Sequence, residues 1–174
     1  NLRFSKEDIA YLRSLNTFDE DFLNYLADFR FSGDIYAIPE GTVVFPREPL
    51  VKVVAPIMEA QLVETAILTI INHQSLIATK ASRVVCAAKG DGIMEFGLRR
   101  AQGPDAGVYG ARAAMIGGCI GTSNVLAGQL FDVPVKGTHA HSWIMSFPDE
   151  YTAFKTYANM YPDACCLLVD TYEI

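Results

Sequence analysis

Short apolar segments alternate with helix-like segments from residue 93 onward, and this alternation limits the folds open to the chain more than any other feature. The four strand candidates cover residues 93–98, 115–120, 133–138 and 165–169. Three helix candidates lie between them, at 104–114, 124–130 and 149–160. Strands that alternate with helices at this spacing form βαβ units and pair in parallel. We therefore expect an α/β fold, built as an interrupted (β/α) barrel or as an open doubly wound sheet.

The first part of the chain differs in composition, because only two of the 13 glycines precede Lys89. Ser5 predicts the start of one helix and Thr17 the start of a second. Short strands are predicted at 34–38, 42–45 and 50–54. A wide apolar stripe then predicts a core helix from Pro56 to about Ala87. We expect an N-terminal α+β domain with this helix over residues 1–89, and the first β/α units of a second domain over 90–174.

The charge balance is acidic, with 14 Lys+Arg against 20 Asp+Glu and a net charge of -6. This balance argues against binding of nucleic acids or anionic membrane surfaces. The apolar stretches are much shorter than the roughly 20 residues that a membrane-spanning helix needs, and the N-terminus has no signal-peptide pattern. We therefore expect a soluble, cytoplasmic protein with neither nucleic acid nor membrane as a partner.

The cysteines and the chain ends support two further expectations. The four cysteines lie inside apolar segments without CxxC or Cys/His ligand spacing, which predicts buried thiols: Cys86, Cys119, Cys165 and Cys166. The chain begins at Asn1 without a methionine and stops directly after the strand-like run 164–170. A domain that ends on a buried strand lacks a closing helix, so we expect a fragment of a longer polypeptide, truncated at its C-terminus.

Polar residues follow each strand candidate, at the carboxyl ends where parallel α/β folds place their sites. Arg99 and Arg100 follow the first strand and could bind a carboxylate or phosphate bidentately, although a solvated surface pair is equally compatible with the pattern. Ser123 and Asn124 follow the second strand at a helix start, which suits an anion, a ring substituent or an ordinary helix cap. No GxxxxGK[ST] motif is present, which excludes a P-loop.

The third and fourth strand candidates end in histidines and an acid. His139 and His141 are two residues apart, so on an extended chain both side chains would face one site, as base, metal ligand or nucleophile. A structural histidine is the alternative. Asp170 could hold Mg²⁺ or ribose hydroxyls, or could cap a helix. A metallohydrolase using His139, His141 and Asp170 also remains open, although H-x-H plus Asp is a weak signal.

Four of these segments, in this order, closely resemble nicotinate phosphoribosyltransferase. They are GDIYAIPEGT at 33–42, EFGLRR at 95–100, GTSNVLAG at 121–128 and GTHAHS at 137–142. The resemblance implies an NAD-salvage enzyme, an ATP-coupled ligase and pentosyltransferase. It would join nicotinate to 5-phosphoribosyl 1-diphosphate, giving nicotinate mononucleotide and diphosphate, with Mg²⁺ as cofactor and ATP as co-substrate. It further implies a homodimer and an irregular (β/α) barrel of the type II phosphoribosyltransferase kind behind an N-terminal α+β domain.

The resemblance also implies roles for individual residues. His141 matches the histidine that is transiently phosphorylated, which would make the protein a phosphoprotein. Thr138 matches a threonine that helps to hold nicotinate. Asp170 matches an acidic residue near ribose and magnesium, and no other metal ligand is implied. Phe96 and Arg99 match the aromatic ring and the arginine that sandwich and orient the pyridine ring in the related nicotinamide enzyme.

Base choice follows from the segment at 121–128. The nicotinamide-using relative carries an aspartate there, whereas this chain has Ser123 and Asn124, a neutral pair that would not repel the carboxylate of nicotinate. The sequence leaves open which of the two faces the base. Nicotinamide or quinolinate as the base, or a non-catalytic interaction module, are the alternatives. We expect the chain alone to be inactive.

Overall fold

The computed structural model describes residues 2–173 as a mixture of helices and short strands that divides into two compact units, Asn1–His73 and Gln74–Ile174. The division falls within the long helix that begins after Pro56. The predicted domain boundary after residue 89 stays a prediction. The helices and strands of the first unit are α1 (Lys6–Ser14), α2 (Glu20–Ala27), β1 (Asp34–Ala37), β2 (Val51–Val54) and the start of α3 (Ile57–Ala87).

The helices of the first unit begin where capping side chains are available. The hydroxyl of Ser5 accepts a hydrogen bond from the N–H of Asp8, whose carboxylate accepts one from the N–H of Ser5, so the predicted first helix is confirmed. The second helix does not open at Thr17. Asp19 caps it instead, because its carboxylate accepts a hydrogen bond from the N–H of Phe22 at 2.8 Å. The two helices share a core of Ile9, Leu23 and Leu26.

Strands β1 and β2 form an antiparallel pair in which Asp34 lies opposite Val54. They confirm the strand candidates at 34–38 and 50–54, but the predicted strand at 42–45 is wrong. That segment is a loop in which Val43 is 82% exposed, so its β-branched side chain has no sheet face to cover. The long helix α3 begins directly after Pro56 and ends at Ala87, as predicted.

Over the residues that the structure describes, the second unit contains parallel strands and five helical segments besides the end of α3. They are β3 (Met94–Glu95), a 3₁₀ turn (Leu98–Arg100), α4 (Pro104–Ile116), β4 (Gly121–Thr122), α5 (Val125–Phe131), α6 (His141–Ile144) and α7 (Glu150–Met160). β3 pairs in parallel with β4, and Thr122 pairs in parallel with Val135, so the predicted parallel pairing is confirmed for three segments. α4 packs on α5 through Val108, Ala111 and Ala127.

Three predicted strands of this unit are wrong in position or extent. Residues 115–120 are not a strand, because α4 continues to Ile116 and ends in Gly117 and Gly118, the second of which has a φ of +100° that favours glycine. The strand starts only at Gly121. Residues 133–138 contribute a single bridge at Val135, and the predicted first strand is reduced to Met94–Glu95.

The predicted strand at 165–169 is also absent, because the structure has no neighbouring strand to pair with it within 2–173.

Of the four thiols, only Cys119 is buried, so the prediction of buried thiols is wrong for the other three: Cys86, Cys165 and Cys166. Within the described chain, no helix combines the length and the apolar character that crossing a bilayer requires.

Candidate functional site

The candidate site lies at the edge of the small parallel sheet where β3, β4 and the segment at Val135 end. Because the three segments run in the same direction, the residues that follow them emerge at one edge. The residues that follow are Phe96 to Arg100 after β3, Ser123 and Asn124 after β4, and Thr138 after the bridge at Val135. Four of the predicted site residues project from this edge with exposed side chains: Phe96, Arg99, Arg100 and Thr138.

A carboxylate that sequence reasoning missed joins the ends of β3 and β4. Glu95 lies opposite Thr122 in the parallel register, and its Oε2 accepts a hydrogen bond from Thr122 Oγ1 at 2.6 Å. Its Oε1 accepts one from the N–H of Gly97. Its main-chain carbonyl accepts a third from the N–H of Ser123 at 3.1 Å. The signal in the sequence was an acid inside an otherwise apolar strand, directly before the polar strand end.

The two residues after β4 have different environments. Asn124 is buried, and its Oδ1 accepts a hydrogen bond from the N–H of Ala127 at 3.1 Å, which caps α5. Its own N–H donates to Thr122 Oγ1 at 3.0 Å. Ser123 is half-buried at the sheet edge. The helix-cap alternative therefore applies to Asn124, and Ser123 is the member of the pair with accessible surface.

His141 and Asp170 form a hydrogen-bonded pair, although they are 29 positions apart in the sequence. The distance between His141 Nε2 and Asp170 Oδ1 is 3.1 Å, and both side chains are about half exposed, at 50% and 48%. His141 is the first residue of α6, which sets the direction of its ring. Asp170 lies in an irregular segment, and no helix begins after it within the described residues.

His139 faces a different environment from His141, so the prediction that both histidines face one site is wrong. Its ring lies among aromatic side chains, with centroids at 4.7 Å from Tyr157 and 5.2 Å from Trp143. Its Nε2 accepts a hydrogen bond from the N–H of Leu168 at 3.2 Å. The physical reason is that the extended chain ends at Ala140, where α6 begins, so the two-residue alternation stops there.

The same geometry gives the residues of the metallohydrolase alternative different partners, because His139 contacts Leu168 whereas His141 contacts Asp170. The Nε2 of His139 is occupied, and the part of the chain from 2 to 173 contains no cluster of three His, Cys, Asp or Glu side chains that could hold a metal ion. Asp170 fits a different kind of Mg²⁺ site. Its Oδ2 is not used by His141, and Mg²⁺ is commonly held by one or two carboxylates together with substrate phosphates and water.

One titratable group beside this edge has a perturbed pKa. Burial raises the pKa of the Cys119 thiol, and the negative charge of Glu95 raises it further. Cys119 comes shortly before β4, and its N–H donates to the carbonyl of Ala114 at the end of α4. The thiol therefore stays protonated and behaves as a small apolar side chain.

Two models of known protein families together match most of the chain. A model of the nicotinate phosphoribosyltransferase N-terminal domain matches residues 1–72. A model of the nicotinate phosphoribosyltransferase family matches residues 92–173, which include every residue of the candidate site.

Individual relatives agree with these matches. The chain is 51% identical over 171 residues to the nicotinate phosphoribosyltransferase pncB2 of Mycobacterium tuberculosis H37Rv, covering 98% of the chain and 37% of that relative. It is 50% identical over 173 residues to the nicotinate phosphoribosyltransferase of Bacillus subtilis, covering 99% of the chain and 35% of that relative. The chain thus spans little more than a third of the length of these proteins.

A solved structure agrees at the level of the fold. The crystal structure of human nicotinic acid phosphoribosyltransferase has a TM-score of 0.87 and 33% identity to the chain, covering 98% of it and 44% of the human protein. This likeness confirms the predicted α/β phosphoribosyltransferase fold. Two family models in the expected order, relatives at half identity and a shared fold lead to one conclusion: the chain belongs to the nicotinate phosphoribosyltransferase family.

Proposed function

We propose that the chain forms part of an enzyme that joins nicotinate to 5-phosphoribosyl 1-diphosphate, giving nicotinate mononucleotide and diphosphate with coupled ATP hydrolysis. The observation that carries this proposal is the contact between His141 and Asp170. A histidine paired with a carboxylate on an accessible surface has the chemistry that a transient phosphohistidine needs. The family membership supplies the reaction class to which this chemistry belongs.

The pair defines which nitrogen of His141 would react. With Asp170 accepting the proton of Nε2–H, the lone pair lies on Nδ1. Nδ1 would attack the γ-phosphorus of ATP, forming a P–N bond while the bond to the bridging oxygen breaks and ADP leaves. The carboxylate of Asp170 would balance the positive charge that develops on the ring. A phosphoryl group on His141 adds negative charge beside the bound substrates and so couples ATP hydrolysis to their affinity.

The residues after β3 and β4 would hold the base. Phe96 is 45% exposed, which leaves a ring face on which a pyridine can stack. Arg99 would make a charge-assisted contact with the nicotinate carboxylate, and the neighbouring Arg100 would add positive charge for a phosphate. Ser123 would contact the edge of the ring, because Asn124 is engaged in capping α5. Thr138 would complete the set from the third segment.

Mg²⁺ is the proposed cofactor, and its chemistry would be to neutralise the diphosphate that leaves the ribose. Asp170 would contribute its Oδ2 to the ion. Transfer at the anomeric carbon depends mainly on positioning of the base and on charge stabilisation, so the side chains at this sheet edge need to bind and orient rather than to act as acid or base.

Further features belong to the same proposal. We infer a homodimeric, cytoplasmic enzyme with neither nucleic acid nor membrane as partner, and a domain boundary after residue 89. The acidic net charge of -6 supports the absence of nucleic-acid binding. Because the chain spans 37% of the length of a close relative, we expect the chain alone to be inactive.

The test is chromatographic. The full-length protein and the chain alone would each be incubated with 5-phosphoribosyl 1-diphosphate, MgCl₂ and ATP, and offered nicotinate, nicotinamide or quinolinate separately. Mononucleotide from nicotinate, formed faster with ATP, is the expected result for the full-length protein. Product from nicotinamide or quinolinate instead would contradict the base assignment. No product from any base would contradict the reaction and favour a non-catalytic interaction module.

A further inference from the structure

We propose that Glu95 is a positioning residue for the pyridine base. Its carboxylate and carbonyl hold the turn that carries Phe96 and Arg99 in a fixed position relative to the segment that carries Ser123. The inference rests on the proposed function, because those three residues are the proposed contacts of the base. It assigns a role to a side chain that would not itself touch the substrate.

The carboxylate of Glu95 holds the turn after β3. Glu95 Oε1 accepts the N–H of Gly97, the residue between Phe96 and the 3₁₀ turn that contains Arg99. A side-chain acceptor two residues back fixes the peptide plane at Gly97 and thereby the directions in which Phe96 and the 3₁₀ turn leave the strand.

The same carboxylate links β3 to β4. Thr122 is completely buried, and its hydroxyl donates to Glu95 Oε2 at 2.6 Å while accepting the N–H of Asn124 at 3.0 Å. A hydroxyl has one hydrogen, so these two bonds use it as a donor to the acid and as an acceptor from the main chain. The carboxylate of Glu95 therefore fixes the hydroxyl on which the N-cap of α5 depends.

A carboxylate of this length can accept hydrogen bonds from both donors at once. Each of its oxygens accepts one hydrogen bond, from Thr122 Oγ1 and from Gly97 N–H respectively. A glutamine offers one acceptor oxygen, so its NH₂ group would face either the N–H of Gly97 or Thr122 Oγ1. In the first case a donor meets a donor, and in the second the hydrogen of the buried Thr122 hydroxyl loses its acceptor. An aspartate is one methylene shorter. Glu95→Gln should therefore break one of the two links while keeping the volume of the side chain.

The experiment compares matched variants of the full-length protein. Glu95→Gln and Thr122→Val each remove one partner of the link, and Thr122→Ser restores the hydroxyl. Glu7→Gln, on exposed α1, is the control for loss of a carboxylate. For nicotinate we expect Glu95→Gln and Thr122→Val to raise KM about tenfold, with kcat changed by less than about threefold, as for a lost charge-assisted hydrogen bond. Thr122→Ser and Glu7→Gln should keep the wild-type KM.

Two further readouts separate positioning from general loss of structure. The Glu95→Gln/Thr122→Val double variant should raise KM by less than the product of the two single effects, because both substitutions disturb the same set of hydrogen bonds around the Glu95 carboxylate. Hydrogen exchange followed by mass spectrometry should show faster exchange in the peptides 94–100 and 121–127 of both single variants. Peptides of α1 and α2 should exchange at the wild-type rate.

The outcomes are distinguishable. If the wild-type protein is active and Glu95→Gln keeps the wild-type KM for nicotinate, the proposed role of Glu95 is wrong. Fully additive effects on KM in the double variant would overturn the role as well. Wild-type protein without product from any base would refute the proposed function. In that case unchanged exchange in both peptides of Glu95→Gln would also overturn the link, whereas faster exchange would support it independently of activity.

Discussion

Replacement of Asp170 by asparagine should separate catalysis from stability. The pair it forms with His141 has an Nε2–Oδ1 distance of 3.1 Å, and both side chains are about half exposed. Pairs exposed to this degree contribute about 0.2–1 kcal/mol to the free energy of unfolding, because water screens them. For a protein of 150–250 residues, 1 kcal/mol corresponds to a shift in Tm of about 2–4 °C. Asp170→Asn should therefore change the Tm of the isolated chain by no more than a few degrees.

The effect on the proposed reaction should be much larger. Asparagine can still accept the proton of Nε2–H, so Nδ1 keeps its lone pair, but the negative charge that would balance a charged ring is lost. We expect the stimulation by ATP to fall at least about tenfold, which corresponds to about 1.4 kcal/mol of transition-state stabilisation. His141→Ala should abolish the stimulation completely.

The assay is the rate of nicotinate mononucleotide formation by the full-length protein with and without ATP, together with phosphoenzyme trapped from γ-labelled ATP under alkaline quench. Asp163→Asn, an exposed acid in the same segment, is the matched control. Unchanged ATP stimulation in Asp170→Asn would refute the role of the pair. A fall in Tm of ten degrees or more would show that the pair stabilises the fold, contrary to the exposure argument.

Three further predictions concern specificity, packing and thiol chemistry. Ser123→Asp places a negative charge where the nicotinate carboxylate would lie, so the nicotinate KM should rise; full retained activity would contradict this. Gly117→Ala places a Cβ 2.6 Å from the carbonyl oxygen of Ala78 and 2.7 Å from Ala81 Cβ. It should therefore lower the free energy of unfolding by about 1–3 kcal/mol in urea titrations, and an unchanged midpoint would count against the close packing. Burial and Glu95 raise the pKa of Cys119 above 9.0, so the thiol contributes stability that is fully present below pH 9.0 and is lost as the pH rises through the raised value. Iodoacetamide at pH 8 should label Cys119 far more slowly than the exposed thiols of Cys86, Cys165 and Cys166. Equal labelling rates would show that the Cys119 thiol is accessible.

Helices were more predictable than strands in this chain, because their ends are specified by nearby residues. Ser5, Pro56, Pro104, Asn124 and Asp149 each mark a helix start that the structure confirms. The cap or proline acts within one turn of the helix, so the sequence contains the whole interaction. Where two candidates compete, as Thr17 and Asp19 do, the pattern cannot tell which oxygen reaches the free N–H groups.

Strand extents were less predictable, because a strand ends where its partner ends. Apolar content at 93–98 and 133–138 indicated strands of six residues, yet pairing is confined to Met94–Glu95 and to Val135. Local composition contains no information about the length of the neighbouring segment. The link between Glu95 and Thr122 was missed for the same reason, because their opposition is a property of the register and not of either segment alone.

The contact between His141 and Asp170 is weak and exposed, yet a neighbouring contact holds its two residues in position. His139 contacts Leu168 and His141 contacts Asp170, and both contacts join residues that are 29 positions apart. The two contacts join the same two stretches of chain, 139–141 and 168–170, so a displacement of one stretch against the other would break both contacts together. The ring of His139 is held among Trp143, Phe154 and Tyr157, which makes such a displacement costly. The half-buried His139 thus helps to determine which residue His141 contacts, and the exposed pair needs little binding energy of its own to stay in place.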